Sequence, residues 1–296
     1  MKIINLTNTE YPWLEKSFQE YNDKYSKRPW AAAAFSSDFR FLFNKRINFD
    51  DLINGVPVFL VNEKLSKSYV TIPGYKTKIY VPDDKPDRLV KKGFNINKWK
   101  KSKKNPKKEE EKEPEKKSKS SILGLYDRCK SCELFPRRIF IWVDKIQKHA
   151  KVYARNCLKE QPNCLIKVDV FANALFNFVL SHEQGHVFMD VELYGETPSP
   201  RFSYGNDYIY FFIEEAYANA YALTTTLRKL DQDSKDFIIT FVKKQKDGYK
   251  KGRDWYEDGC YNYSQWMIIK SAKHFMSKID LLVEFWKTKE FSVLSR

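Results

Sequence analysis

The run Ser181-His182-Glu183-Gln184-Gly185-His186 sets two imidazoles four residues apart, with a carboxylate directly after the first. On an α-helix that spacing puts both rings on one face, about one turn apart, where they can share one ion. Glu183 is offset toward the side, within reach of a water on the ion instead of the ion itself. This is the donor pattern of a catalytic zinc, which takes three protein ligands and keeps one position open for water or substrate. The third ligand must come from another element. Tyr208 to Leu223 reads YIYFFIEEAYANAYAL, with Glu214 and Glu215 adjacent in an otherwise apolar segment. Carboxylates there are costly to bury unless they are paired or ligate a metal, and either one fits the need.

The elements that would hold these groups are legible in the spacing of apolar residues. Leu175, Val179, His182, His186 and then Met189 or Asp190 follow one another at three and four residues, so the histidines continue the core-facing stripe of FANALFNFVL. The spacing predicts a helix over Val168 to Asp190, with the metal at a partly buried cleft floor. Gly185 lowers helix propensity, which is compensated if another segment approaches closely there. Alanines at 216, 218, 220 and 222 let a second backbone come near. Further helices are expected at Tyr11 to Tyr25, Lys145 to Asn156, Tyr208 to Leu230, Asp236 to Gln245 and Tyr263 to Trp286. PVFLVN, SYVTI and TKIYVP, between Pro57 and Pro82, read as strands of a small antiparallel sheet. SILGLYD resumes order further on. RRIFIWVD is apolar on both faces, which predicts a strand covered on both sides.

Strands first and helices afterwards give an α+β chain: a small antiparallel or mixed sheet followed by a helical catalytic region of the zincin type. The expected division is an N-terminal helix plus β-rich portion over 1–94, a disordered Lys/Glu-rich insertion over 95–120, and a catalytic domain over 121–296. The insertion has almost nothing to bury and cannot offset the entropy of ordering.

The chain of 296 residues carries a formal charge of +15. Between Lys98 and Lys119, eleven lysines against five glutamates account for +6 of it. Much of the excess therefore sits in one low-complexity segment, and a solvated loop is favoured over a nucleic-acid partner. The same holds for Lys243 to Arg253, where no nucleic-acid module is recognised. His149 reads as a solvated face residue of a lysine-rich helix. No signal peptide or membrane span is visible, and five cysteines without a secretory signal fit reduced thiols, so a cytoplasmic location is expected. Cys129, Cys132, Cys157 and Cys164 could together bind a second zinc, but the six-residue gap between the last two is looser than structural sites use, and free thiols are preferred.

HEQGH, followed about thirty residues later by E-A-x-x-N, resembles the gluzincin branch of the zincin metallopeptidases. IFIWVDKIQKHAK, the HEQGHVFMD helix and IEEAYANAYAL together look like an uncharacterised bacterial group of zincin-like peptidases. The likeness covers roughly Ile139 to Lys229 and none of the first 120 residues. It implies His182, His186 and Glu215 as ligands of one Zn2+, Glu183 as general base, and Asn219, four residues after Glu215, as the residue that orients a ligating histidine. Asn stands where that branch often has Asp. A metzincin pattern does not fit, because its Gly and third His fall on Met189 and Glu192; Glu192 would lie on the histidines' own helix and ranks below Glu215 and Glu214. The implied reaction is hydrolysis of a peptide bond in a protein or peptide substrate, with an oxyanion donor among Tyr249, Tyr256 and His274. Two alternatives stand beside it: a basic binding or regulatory protein on a zincin fold, and a zinc amidase acting on a non-protein substrate.

Overall fold

The computed structural model of the chain describes residues 3–14, 55–83, 122–128, 135–160, 168–194, 208–245 and 247–257. The 95–120 insertion, the helix expected at Tyr263 to Trp286, most of the one expected from Tyr11, and Cys129, Cys132, Cys164, Cys260 and His274 lie outside them.

The architecture is α+β, a small mixed sheet with a larger set of helices. Six strands are described: β1 (Ile3–Asn5), β2 (Val58–Val61), β3 (Tyr69–Thr71), β4 (Lys78–Tyr80), β5 (Gly124–Arg128) and β6 (Arg137–Trp142). Five α-helices follow: α1 (Val143–Glu160), α2 (Val168–Tyr194), α3 (Tyr208–Thr226), α4 (Gln232–Lys243) and α5 (Asp247–Glu257). A 3-10 turn, Leu227–Lys229, ends α3.

The main sheet has the order β1-β2-β6-β5. β1 pairs with β2 and β2 with β6 in parallel, whereas β5 runs antiparallel to β6 at one edge. PVFLVN is therefore not a strand of an antiparallel sheet with its sequence neighbours. Its strand, Val58–Val61, is buried at every position between β1 and β6, as suits a parallel strand covered on both faces. Only β3 and β4 form the expected antiparallel pair, closed by a turn in which Gly74 takes a φ of 78°, a conformation that costs glycine little.

The two-residue period of β2 and β6 splits the core in two. Val58, Leu60, Ile139 and Ile141 face the helices in one apolar cluster. Phe59, Val61, Phe140 and Trp142 face the other way, onto Ile72, Ile79 and Val81 of the β3–β4 hairpin. β6 is buried at every position, which accounts for its apolar residues on both faces. Its chain runs straight into α1, whose first-turn Asp144 accepts a hydrogen bond from the Glu63 N–H at 2.9 Å.

α2 is buried nearly all round from Phe171 to Val191, packed by α1, α3 and strand β5. An apolar helix enclosed on every side is a core element, and polar groups in its middle need partners. Its closest neighbour is α3. A Cβ on Gly185 would lie 2.9 Å from the Ala218 Cα, so the missing side chain is what lets the two backbones touch. Gly252 on α5 does the same against Ala216 and Asn219 of α3. Among the described residues no helix is long and apolar enough to cross a membrane.

Candidate metal centre

His182 and His186 sit one turn apart on α2, and Glu215 faces them from α3. His182 Nε2 lies 3.2 Å from His186 Nε2 and 3.1 Å from Glu215 Oε2, and the third side of the triangle, His186 Nε2 to Glu215 Oε2, is 3.6 Å. Zinc bound tetrahedrally at about 2.0–2.1 Å holds its ligand atoms roughly 3.3 Å apart. The three atoms therefore stand at the separations one such ion requires, and each residue is buried.

The chemistry of the donors agrees with that geometry. Glu215 Oε2 is buried and receives no hydrogen bond of good geometry, although both ring nitrogens face it. Two imidazole nitrogens and a carboxylate oxygen form a common ligand set for a catalytic zinc, and a cation among them would satisfy the orphaned oxygen. Without one, the charges lean on each other. Burial alone would raise the Glu215 carboxyl, but His186 and His182 outweigh it and hold it well below the ordinary carboxylate value. Burial would lower His186, but Glu215 and Glu214 outweigh it and hold its imidazole well above the usual histidine value.

Glu214 stands outside the cluster of His182, His186 and Glu215. Its Oε1 lies 2.8 Å from His186 Nδ1, on the ring's far side from Glu215, and accepts from Arg128 Nη2 at 2.5 Å. Arg128 ends β5 and also approaches Asp190 Oδ1 at 3.5 Å. Asp190, one turn beyond His186 and fully buried, accepts from the Tyr126 hydroxyl at 2.9 Å and from Arg137 Nε at 2.7 Å. Burial works against the Glu214 carboxylate, and Arg128 and His186 reverse that and keep it below its ordinary value.

Glu183 points across to the edge strand. The Tyr126 backbone N–H donates to its Oε2 at 2.7 Å. Gly124 leaves space for the carboxylate, since a Cβ there would stand 2.6 Å from Glu183 Oε1. Burial pushes the Glu183 carboxyl up, opposed by His182 and His186.

Of the two oxyanion candidates among the described residues, Tyr249 is the one placed at the centre. Its ring stacks on His182, with centroids 5.7 Å apart and planes 25° from parallel. Burial raises its phenol, and the negative charges of Glu215 and Glu183 raise it further, so it remains a donor. Tyr256 packs partly buried against the helical core, and His274 is outside the described residues. His149 is exposed on α1, as the solvated residue expected; its ring meets Phe241 edge-on at 5.9 Å, and partial burial lowers its pKa.

Asn219 is fully buried, but its amide is spent elsewhere than the expected histidine. Nδ2 donates to Gln245 Oε1 at 2.9 Å and to the Tyr249 carbonyl at 3.0 Å, tying the start of α5 to α3. His182 Nδ1 and Asn219 Oδ1 have no hydrogen-bond partner among the described residues. Sequence reasoning missed Arg128, Gly124 and the Tyr126 backbone, and it weighed Glu214 only as a rival ligand. The one signal for Glu214 was its apolar neighbourhood; Arg128 had none. Cys157, the one described cysteine, forms no disulfide.

No family model matches this sequence, and no curated protein or solved structure matches it either.

Proposed function

We propose that the chain is a zinc-dependent metallopeptidase of the gluzincin kind, in which His182, His186 and Glu215 hold one ion. The observation that carries the reading is the triangle of two Nε2 atoms and one Oε2, with sides of 3.1, 3.2 and 3.6 Å and an orphaned oxygen at one corner. Bound there, zinc would supply a Lewis acid that polarises a scissile carbonyl and makes water a nucleophile near neutral pH.

The chain's own residues provide the remaining parts. Glu183 takes the proton from the attacking water and returns it to the nitrogen of the leaving amine. Its carboxylate is aimed by the Tyr126 N–H and freed from steric conflict by Gly124. The Tyr249 hydroxyl donates to the oxygen that becomes negative as the carbonyl turns tetrahedral. Helices α2 and α3 exclude water from the ligand side, which strengthens each of these interactions. A protein or peptide is the proposed substrate.

The deciding experiment is turnover of a peptide library by the full chain, by Glu183→Gln, and by the protein after chelation. The wild type should cleave, chelation should stop it, and Glu183→Gln should keep its zinc and lose about 10²–10⁴-fold in kcat. A variant that cleaves at the wild-type rate removes Glu183 as base. Hydrolysis of non-peptide amides alone would move the assignment to an amidase.

A further inference from the structure

The geometry points to Glu214 as a positioning residue for the metal, acting through His186 and held in place by Arg128, an inference that rests on the metal-site reading above. His186 has two ring nitrogens and both face carboxylates, with Glu214 at 2.8 Å from Nδ1 and Glu215 at 3.6 Å from Nε2. When Nδ1–H donates to Glu214, the Nε2 lone pair is left for the ion, and the ring cannot rotate without breaking that hydrogen bond. A carboxylate behind an imidazole ligand fixes its orientation and raises its basicity.

Glu214 would not serve this role unsupported. A buried carboxylate is costly unless it is paired, and adjacent Glu215 repels it. Arg128 supplies the counter-charge at 2.5 Å. The guanidinium is held in turn by Asp190, which Tyr126 and Arg137 grip from β5 and β6. The chain of contacts runs from the edge strand to the imidazole, with Arg128 its one partly exposed member. It links the order of β5 to the strength of metal binding, although Arg128 touches no ligand atom.

The prediction is read as metal affinity of the full chain, with Zn2+ alone as the probe in competition with a chromophoric chelator. Glu214→Gln and Arg128→Met should each weaken Zn2+ binding by about ten- to a hundredfold, the range seen when such outer partners are lost. The two together should cost less than the product of their separate effects, because each disables the same support. The absorption of Co2+ placed in the site should shift in both variants. If Arg128→Met does not fold, Glu214→Gln, which keeps the shape of the side chain, decides alone. Affinities within twofold of wild type and an unmoved Co2+ spectrum, whatever happens to the melting temperature, would overturn the role of Glu214. A wild-type chain that binds neither ion would overturn this inference together with the metal-site reading, whereas tight wild-type binding with unaffected variants would overturn this inference alone.

Discussion

Gly185 on α2 and Ala218 on α3 meet backbone to backbone: the space where a Gly185 side chain would begin is closed by the Ala218 Cα at 2.9 Å. The contact stands one residue before His186 and three after Glu215, so it sets the distance between the histidines of α2 and the carboxylate of α3. Gly185→Ala should gain roughly 1 kcal/mol of helix propensity and lose more to overpacking, about 1–3 kcal/mol, because the obstacle is backbone and cannot move aside. A lower melting temperature together with weaker metal binding is the expected result. Unchanged or raised stability would show that the helices can separate at no cost.

Tyr249 should matter to the rate and little to the ion. Its ring covers His182, and its hydroxyl sits by Glu215 and Glu183. Tyr249→Phe keeps the stacking and removes one donor, so kcat should fall about 10²–10³-fold while zinc content stays the same. Steady-state kinetics with parallel metal analysis separates the two effects. A kcat that does not change would take the oxyanion role away from this residue.

Much of the site could be read from the sequence because it is local. The histidines continue a helical stripe from Leu175 and Val179, and α2 is found where that stripe predicts it, continuing to Tyr194. The glycine and alanines that let α2 and α3 touch were readable for the same reason: small residues at helical spacing mean close approach. What could not be read is long-range. Arg128 meets Glu214 across 86 residues, and nothing near Arg128 in sequence marks it as their partner. The parallel pairing of β2 with β6 is hidden in the same way, since an apolar run of four does not say which strand will lie beside it. Asn219 shows a different limit, because its burial was implied but its hydrogen bonds depend on where α5 begins.

The buried charges give a pH dependence with a definite sign. In the metal-free protein His186 has a raised pKa, so its contribution to stability is fully present below its ordinary value of 6.5 and is lost as pH rises through the raised one. Glu214 and Glu215 have lowered pKa values, so theirs is fully present above 4.5 and is lost as pH falls through the lowered ones. Glu183, raised by burial, opposes them above 4.5. Zinc bound at Nε2 would displace the proton that His186 holds there toward Glu215, so binding would release a proton. The rise in melting temperature on adding Zn2+ should therefore grow as pH rises from the ordinary histidine value of 6.5 toward the raised one of His186. A rise that shrinks over that interval would contradict the pairing of His186 with Glu214 and Glu215.

The most direct measurement is the metal content of the purified full chain, compared with His182→Ala and Glu215→Ala. The expected result is close to one zinc per wild-type chain, lost in either variant, since removing one of three ligands leaves too few to hold the ion. A wild-type protein that stays folded and holds no zinc when dialysed against it would contradict the account, as would variants that keep a full complement.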